Sequence, residues 1–285
     1  MRVIVCIKQI CYVYHPIAIG TSGGDIDPEK MVYMLNPYDE VAMEEAMKIK
    51  ERFVGSEVIV ITAGPPRTEE ALRYAFAFGA DRMIRIDCQN LDPWTTSLIL
   101  AETIRDLKYD IILCGKKAID TNDNQVGSFV AELLEIAQVS GIVRMEVLPD
   151  MKKVIVERYL GKGDREAVEC DLPALFTVEK TLNDPRYPTL PNRLRAEKEK
   201  IESIEATPLN IHVDVEMDLR EFASLAPPRP KPKKVFTPDS HLSASERRRL
   251  IMSGGVTEKK SNLFEGAPED IAKRIVNILI KEKIF

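Results

Sequence analysis

The sequence has little with which to build a metal site or a disulfide framework. Its five cysteines (Cys6, Cys11, Cys88, Cys114 and Cys170) are odd in number and include no C-x-x-C pair. Cys6 and Cys114 stand inside β-type apolar runs, where a free thiol behaves as a small hydrophobe. The three histidines, His15, His212 and His241, are far apart and share no ligand-like spacing. A reduced, cytoplasmic chain with no metal is the expectation. No apolar run approaches the roughly 20 residues that span a bilayer. The opening, Met1 to Lys8, reads as a strand too short for a signal h-region. A basic excess is missing too. The 40 Lys and Arg face 45 Asp and Glu, a formal net charge of -5, which argues against a nucleic-acid partner. Neither a Walker loop nor a G-x-G-x-x-G occurs.

What is present is an ordinary globular composition, 45% hydrophobic over 285 residues. That suffices for a core that stands without cross-links. Up to about residue 137 the chain alternates between β-type runs (Val3 to Ile7, Val58 to Ile61, Met83 to Ile86, Ile111 to Cys114) and helical patterns. One helix follows Pro37 with Val41, Ala42, Ala46 and Ile49 on one face. A second is capped by Thr68 and ended by Gly79, a third opens on Asp92-Pro93, and a fourth runs from about Asn124 to Leu134. Unbroken apolar strands alternating with helices predict an α/β fold, a doubly wound and mostly parallel sheet with right-handed crossovers. From Val139 the pattern changes to hairpin arms, Val139 to Leu148 and Lys153 to Tyr159, then Glu166 to Cys170 and Ala174 to Val178. These are expected as antiparallel additions to the same sheet. Beyond them come a weakly alternating run at His212 to Glu216, a proline-rich basic strap from Ala226 to Lys234, and an amphipathic helix from about Pro268 to Lys283 striped with Ile271, Ile275, Ile278 and Leu279. At Ser243, a serine cap with Glu246 at N3 starts another helix.

In an open α/β sheet, ligands bind beyond the carboxyl ends of the strands, where strand order reverses. The segment suited to that place is Gly115-Lys116-Lys117-Ala118-Ile119-Asp120-Thr121-Asn122-Asp123-Asn124-Gln125-Val126-Gly127. Gly115 lets the chain leave the strand sharply, and the helix start near Asn124 and Gln125 offers free N–H groups to a phosphate. Asp120 and Asp123 are poor phosphate neighbours. They suit ribose hydroxyls or a helix cap. A second strand end, Leu35-Asn36-Pro37-Tyr38-Asp39-Glu40, offers Asn36 either as a helix cap or as a side-chain amide for an adenine edge or a phosphate. By pattern alone the first segment also reads as a plain βα loop.

Four segments together carry a resemblance: Val5-Cys6-Ile7-Lys8, Asn36 to Glu40, Gly115 to Asp120 with Asn124-Gln125, and Leu182-Asn-Asp-Pro-Arg-Tyr-Pro-Thr-Leu-Pro-Asn192. In order and spacing they resemble the beta subunits of electron transfer flavoproteins, over residues 1 to about 205. The resemblance implies an adenine nucleotide alpha-hydrolase-like, Rossmann-like domain (1–205) with a partner-docking loop (182–192). It implies an extended C-terminal arm (206–285) packed on an alpha subunit that holds most of a redox-active FAD. It also implies an electron carrier rather than a stand-alone enzyme. AMP is the expected ligand, in contact with Cys6, Asn36, Pro37, Tyr38, Asp39, Ala63 and the loop from Gly115 to Val126. Cys6 and Ala63 would contribute backbone, and Tyr38 falls where the family has an aromatic near the flavin or simply packs the helix start. Docking of an acyl-CoA dehydrogenase would use Leu190, with Arg193, Arg195 and Lys198 as a basic surface. A membrane quinone oxidoreductase is a possible acceptor.

The alternative ligand is a second FAD, as in electron-bifurcating members that oxidise NADH. The loop Asp123-Asn-Gln-Val-Gly-Ser128 mixes the Asn-Gln-Thr-Gly of non-bifurcating members with the Asp-Thr-Ala-Gln-Val-Gly-Pro of bifurcating ones. Thr189 to Asn192 matches the non-bifurcating form, whereas the chain end resembles longer prokaryotic members. An ATP-binding stress-type protein of the same fold is a further alternative, one with no reason to carry the Leu182 to Asn192 loop. One departure concerns Val156-Glu157-Arg158. The family follows this triplet with an acidic residue that steadies the alpha subunit's flavin domain. Here Tyr159 follows, leaving Glu157 as the substitute.

Overall fold

The computed structural model describes residues 1–12, 31–88, 92–206, 238–252 and 266–281. The chain divides into two units, Met1–Pro228 and Arg229–Phe285. In chain order the first contains β1 (Arg2–Cys6), β2 (Gln9–Tyr12), β3 (Val32–Leu35), α1 (Pro37–Arg52), β4 (Glu57–Gly64), α2 (Glu69–Phe76), β5 (Arg82–Asp87), α3 (Pro93–Arg105), β6 (Ile111–Gly115), α4 (Val126–Leu133), β7 (Ala137–Val147), β8 (Lys153–Gly161), β9 (Asp164–Asp171), β10 (Ala174–Val178), α5 (Leu190–Lys198) and β11 (Glu202–Glu205). Among the described residues nine strands form one sheet, in the order β11-β5-β4-β1-β6-β10-β7-β8-β9. The order reverses between β1 and β6. From β1 the chain builds outward through β4 and β5, then returns to lay β6 on the other side. That reversal opens a crevice at the carboxyl ends of β1 and β6.

Alternate side chains of the parallel strands feed two cores. Val3, Val5, Val58, Val60, Ile111 and Leu113 pack with α1 and α2 on one face. Ile4, Ile59, Ile61, Ile84 and Ile112 pack with Ile99, Ile104 and Val130 of α3 and α4 on the other. This two-sided burial is why the strands read as unbroken apolar runs. The stripe Val41, Ala42, Ala46 and Ile49 of α1 is buried as predicted. Asp92 caps α3, its Oδ1 accepting from the amides of Trp94 at 2.8 Å and Thr95 at 3.1 Å, and the Trp94 ring meets Phe129 edge-on at 5.3 Å, joining α3 to α4.

Three local readings are corrected. Thr68 does not cap α2. It sits in a 3-10 turn, and its hydroxyl donates to the Pro65 carbonyl at 2.8 Å instead of accepting from the helix. The helix after the Gly115 loop starts at Val126, not Asn124, because Asn122 and Asn124 hold left-handed φ of 60° and 55°. The strand additions are only partly antiparallel. β10 lies parallel between β6 and β7, and only β8 runs against the rest of the sheet, so antiparallel pairing is confined to β7–β8 and β8–β9. Periodicity reports which faces are buried, not strand direction.

In the second unit, α6 (Ala244–Met252) starts on a reciprocal capping box. The Ser243 amide donates to Glu246 Oε2 at 3.0 Å, and the Glu246 amide donates to Ser243 Oγ at 3.4 Å. Helix α7 (Pro268–Lys281) carries the expected residues, Ile275 and Ile278 exposed and Ile271 and Leu279 half-buried, and Val276 and Ile280 beside them are exposed too. The run at His212 to Glu216 and the strap from Ala226 to Lys234 lie outside the described residues. No described helix is long and apolar enough to cross a membrane.

Candidate functional site

The crevice at the β1/β6 reversal holds a cavity of about 340 Å³. Of the residues expected there, Cys6, Asn36, Asp39, Ala63, Gly115, Lys116, Lys117, Ala118, Asp120, Thr121, Asp123, Asn124, Gln125 and Val126 line it. Pro37, Tyr38, Ile119 and Asn122 do not. Tyr38 is half-buried, with the Lys180 ammonium 5.1 Å from its ring centroid. Burial and the nearby Glu179 carboxylate raise its phenol above the ordinary value. Cys6 and Cys114 face one another in the β1/β6 register. A hydrogen bond with Cys6, together with burial, holds the Cys114 thiol well above the usual range. The Cys114 thiol thus stays protonated at the floor of the crevice.

The floor is braced by Asn36 and Asp39. Asp39 is buried on the first turn of α1 and ties three segments together. Its Oδ2 accepts from the Lys8 amide at 2.7 Å, and its Oδ1 accepts from Asn36 Nδ2 at 2.9 Å and from the Gly115 amide at 3.1 Å. Asn36 Nδ2 also donates to the Lys117 carbonyl at 3.0 Å, and its Oδ1 accepts from the Ile119 amide at 3.3 Å. The cap reading of Asn36 therefore changes. Its side chain does not cap α1, although it lines the cavity. It fastens the 115–119 loop to the start of the helix. Gly115 is required for space, not for a special backbone angle. A Cβ there would stand 2.2 Å from Asp39 Oδ1 and 2.7 Å from Tyr38 Cβ.

At the cavity's other wall, α4 begins without a side-chain cap on Gln125. The amides of Val126 and Gly127 are thus left with the positive end of the helix dipole. In α3, by contrast, Asp92 takes the first amides. Gly127 brings this turn against Thr177, since a Cβ there would lie 2.6 Å from the Thr177 methyl. Neither acidic loop residue caps α4. Asp120 pairs with Lys8 Nζ at 3.0 Å and accepts from the Thr121 amide at 2.8 Å, while Asp123 is exposed on the lining. Lys116 is engaged by Glu179 at 2.5 Å.

Sequence reasoning missed the wall made by β2 and β3. Lys8, Gln9, Cys11, Met31, Tyr33 and Arg67 also line the cavity. Gln9 Nε2 donates to the Arg67 carbonyl at 3.0 Å, and the Arg67 guanidinium stacks 4.6 Å over the Tyr33 ring. Gln9 Oε1 is buried with no hydrogen-bond partner among the described residues. Such an atom costs stability unless a donor meets it. The alternation of Gln9, Ile10 and Cys11, with Ile10 buried, was the available signal for this strand. The site thus offers uncapped amides to an anion and an exposed carboxylate to hydroxyl groups.

Elsewhere, Leu190 stands 69% exposed at the first turn of α5, so it is not a core residue. Arg193 and Lys198 are exposed. Arg195 is exposed as well, with its guanidinium turned back to donate to the Ala80 carbonyl at 2.5 Å and to stack over Phe76 at 4.6 Å. Glu157 lies between Arg144 at 3.1 Å and Arg165 at 3.3 Å. Its charge is compensated within the β-hairpins, which weakens it as a stand-in for the family's acidic contact.

Comparison with known proteins matches residues 26–209 to the electron transfer flavoprotein domain family. The chain is 34% identical to the electron transfer flavoprotein subunit beta of Homo sapiens over 234 residues, 80% of this chain and 90% of the human one. It is 32% identical to that of Bacillus subtilis over 258 residues, covering 89% and 98% of the two chains. With that of Thermoanaerobacterium thermosaccharolyticum it shares 35% over 276 residues, covering 93% and 97%.

Proposed function

The chain belongs to the electron transfer flavoprotein family as a beta subunit, and from that premise we propose that it binds AMP in the β1/β6 crevice, completes the FAD site of an alpha subunit and docks an acyl-CoA-type dehydrogenase. Electrons would pass on to a respiratory acceptor such as a membrane quinone oxidoreductase. The observation that carries the reading is the crevice itself, lined by an uncapped helix start and the exposed Asp123. Its volume of about 340 Å³ falls within the range of ligand pockets, roughly 300–1,000 Å³. The amides of Val126 and Gly127 would hold the phosphate, and Asp123 the sugar. Bound FAD supplies the electron chemistry. The chain's own part is to bind, orient and present surfaces.

The loop's asparagines do not decide between AMP and FAD. Asn122 and Asn124 hold left-handed backbone, which asparagine tolerates far better than most residues, so their identity follows from the turn. The apolar face of α7, exposed in this chain, would be covered by the alpha subunit.

The test is chemical. Co-expressed alpha and beta chains, purified and denatured, should release one FAD and one AMP per heterodimer on chromatography. Two FAD and no AMP would instead establish the bifurcating reading. For docking, Leu190→Ala should raise the KM for a reduced acyl-CoA dehydrogenase by about tenfold or more, with flavin content unchanged. An unaltered KM would remove Leu190 from the interface.

A further inference from the structure

We propose that α1 is the mount of the docking loop, and that Arg186 and Asn183 are positioning residues that set where Leu190 stands. The inference rests on the docking reading above. Residues 183–189 form neither helix nor strand, so no backbone ladder fixes them. Side chains do this instead. Arg186 presents its fork to Glu44, with Nε to Oε2 at 2.8 Å and Nη2 to Oε1 at 2.9 Å, and its own amide donates to the same carboxylate at 3.1 Å. Its remaining edge pairs with Glu51, two turns further along α1. Asn183 Nδ2 donates to Glu45 Oε2 at 2.9 Å and to the Val41 carbonyl at 3.1 Å.

Glu44 and Glu45 are buried beneath this segment. A carboxylate so placed needs its partner, and a bidentate guanidinium is the geometry that holds it in one orientation. The Glu44 and Glu51 hydrogen bonds raise the guanidinium's pKa, so the charge persists at every working pH. At the other end of the exposed stretch, Arg195 is fixed on Phe76 and Ala80. Between these two fixed points the apolar side chains of Tyr187, Leu190 and Leu194 are 91%, 69% and 54% exposed. An apolar knob held in place before contact loses little freedom on docking. α1 also carries Asp39 at its start, so one rigid helix spans the crevice and the loop mount.

The experiment uses the purified heterodimer and an acyl-CoA dehydrogenase reduced by its own substrate. Arg186→Gln should raise the KM for the dehydrogenase about tenfold while kcat stays within about twofold, since only pre-positioning is lost. Arg186→Lys should fall between, because lysine keeps the charge without the fork. Amide exchange over residues 184–192 should quicken in Arg186→Gln, with FAD and nucleotide content retained. A raised KM for Leu190→Ala beside an unchanged KM for Arg186→Gln would overturn the mount and leave docking intact. An unchanged KM for Leu190→Ala would overturn both. Should Arg186→Gln fail to assemble, Glu51→Gln, which removes only the exposed arm, decides. A KM increase of about threefold supports the mount, and none overturns it.

Discussion

Gly115→Ala should cost the domain about 3 kcal/mol, the upper end for forcing one methyl into packed surroundings. For a domain of this size that lowers Tm by about 6–12 °C. The added methyl meets Asp39 Oδ1 at 2.2 Å, Tyr38 Cβ at 2.7 Å and Asn36 Nδ2 at 3.1 Å. None of the three can step aside freely. Tyr38 and Asp39 stand on the first turn of α1, and Asp39 is held by the Lys8 and Gly115 amides. Asn36 is held at both ends by the 117–119 backbone. The methyl must push α1 from β6 or break the buried bonds that brace the loop. Nucleotide content of the heterodimer should therefore fall together with Tm. A Gly115→Ala heterodimer that melts within about 2 °C of the parent and keeps its nucleotide would show that the floor of the crevice yields, and would overturn the account of Asn36 and Asp39 as a rigid brace.

Much of the fold is legible in the sequence because its signals are local. Val3 to Val5 has nothing polar to turn toward solvent, so it can only be a strand covered on both faces. Asp92-Pro93 and Ser243 to Glu246 state their helix starts within four residues. The crevice was legible through the loop after β6 and through the order of four weak segments. What escaped depends on residues far apart in the chain. Asn36 and Ile119 are separated by 83 positions, and nothing around Asn36 tells a helix cap from a loop brace. Glu44 and Glu45 look like solvent-facing acids on an amphipathic helix until a segment some 140 residues later lies over them. The β2–β3 wall was missed because each strand has four residues, too few for alternation to stand out. The parallel setting of β10 has no sequence signature of its own, since burial on both faces gives the same short, mostly apolar run in either direction.

The folded chain should lose stability as pH rises from about 4 to about 7, and Asp39 should account for a resolvable part of that loss. Its carboxyl is wholly buried, and burial raises its pKa from 3.8 to about 7 against the hydrogen bonds from Lys8, Asn36 and Gly115 and the Lys8 charge. With the folded value above the unfolded one, the native state holds the proton more tightly. The contribution to stability is therefore full below the unfolded pKa of about 4, shrinks as pH climbs toward the folded pKa, and is absent above it. Between pH 5 and pH 8 the swing for this one group is about 2–3 kcal/mol. Other carboxyls overlap it. Glu45 shifts upward through burial, while Glu51 and Glu202 are held down by hydrogen bonds from Arg186 and Arg82. Asp39→Asn separates the terms. It removes the titration and turns an amide N–H toward a cluster of donors, costing about 1–3 kcal/mol in its own right. The parent's advantage in urea unfolding should then be largest at pH 5 and smallest at pH 8, falling by about 2–3 kcal/mol. A parent-minus-variant difference that stays flat across that range would mean that the three donors outweigh burial. Asp39 would then be an ordinary ionised brace throughout, and the site would owe none of its pH response to it.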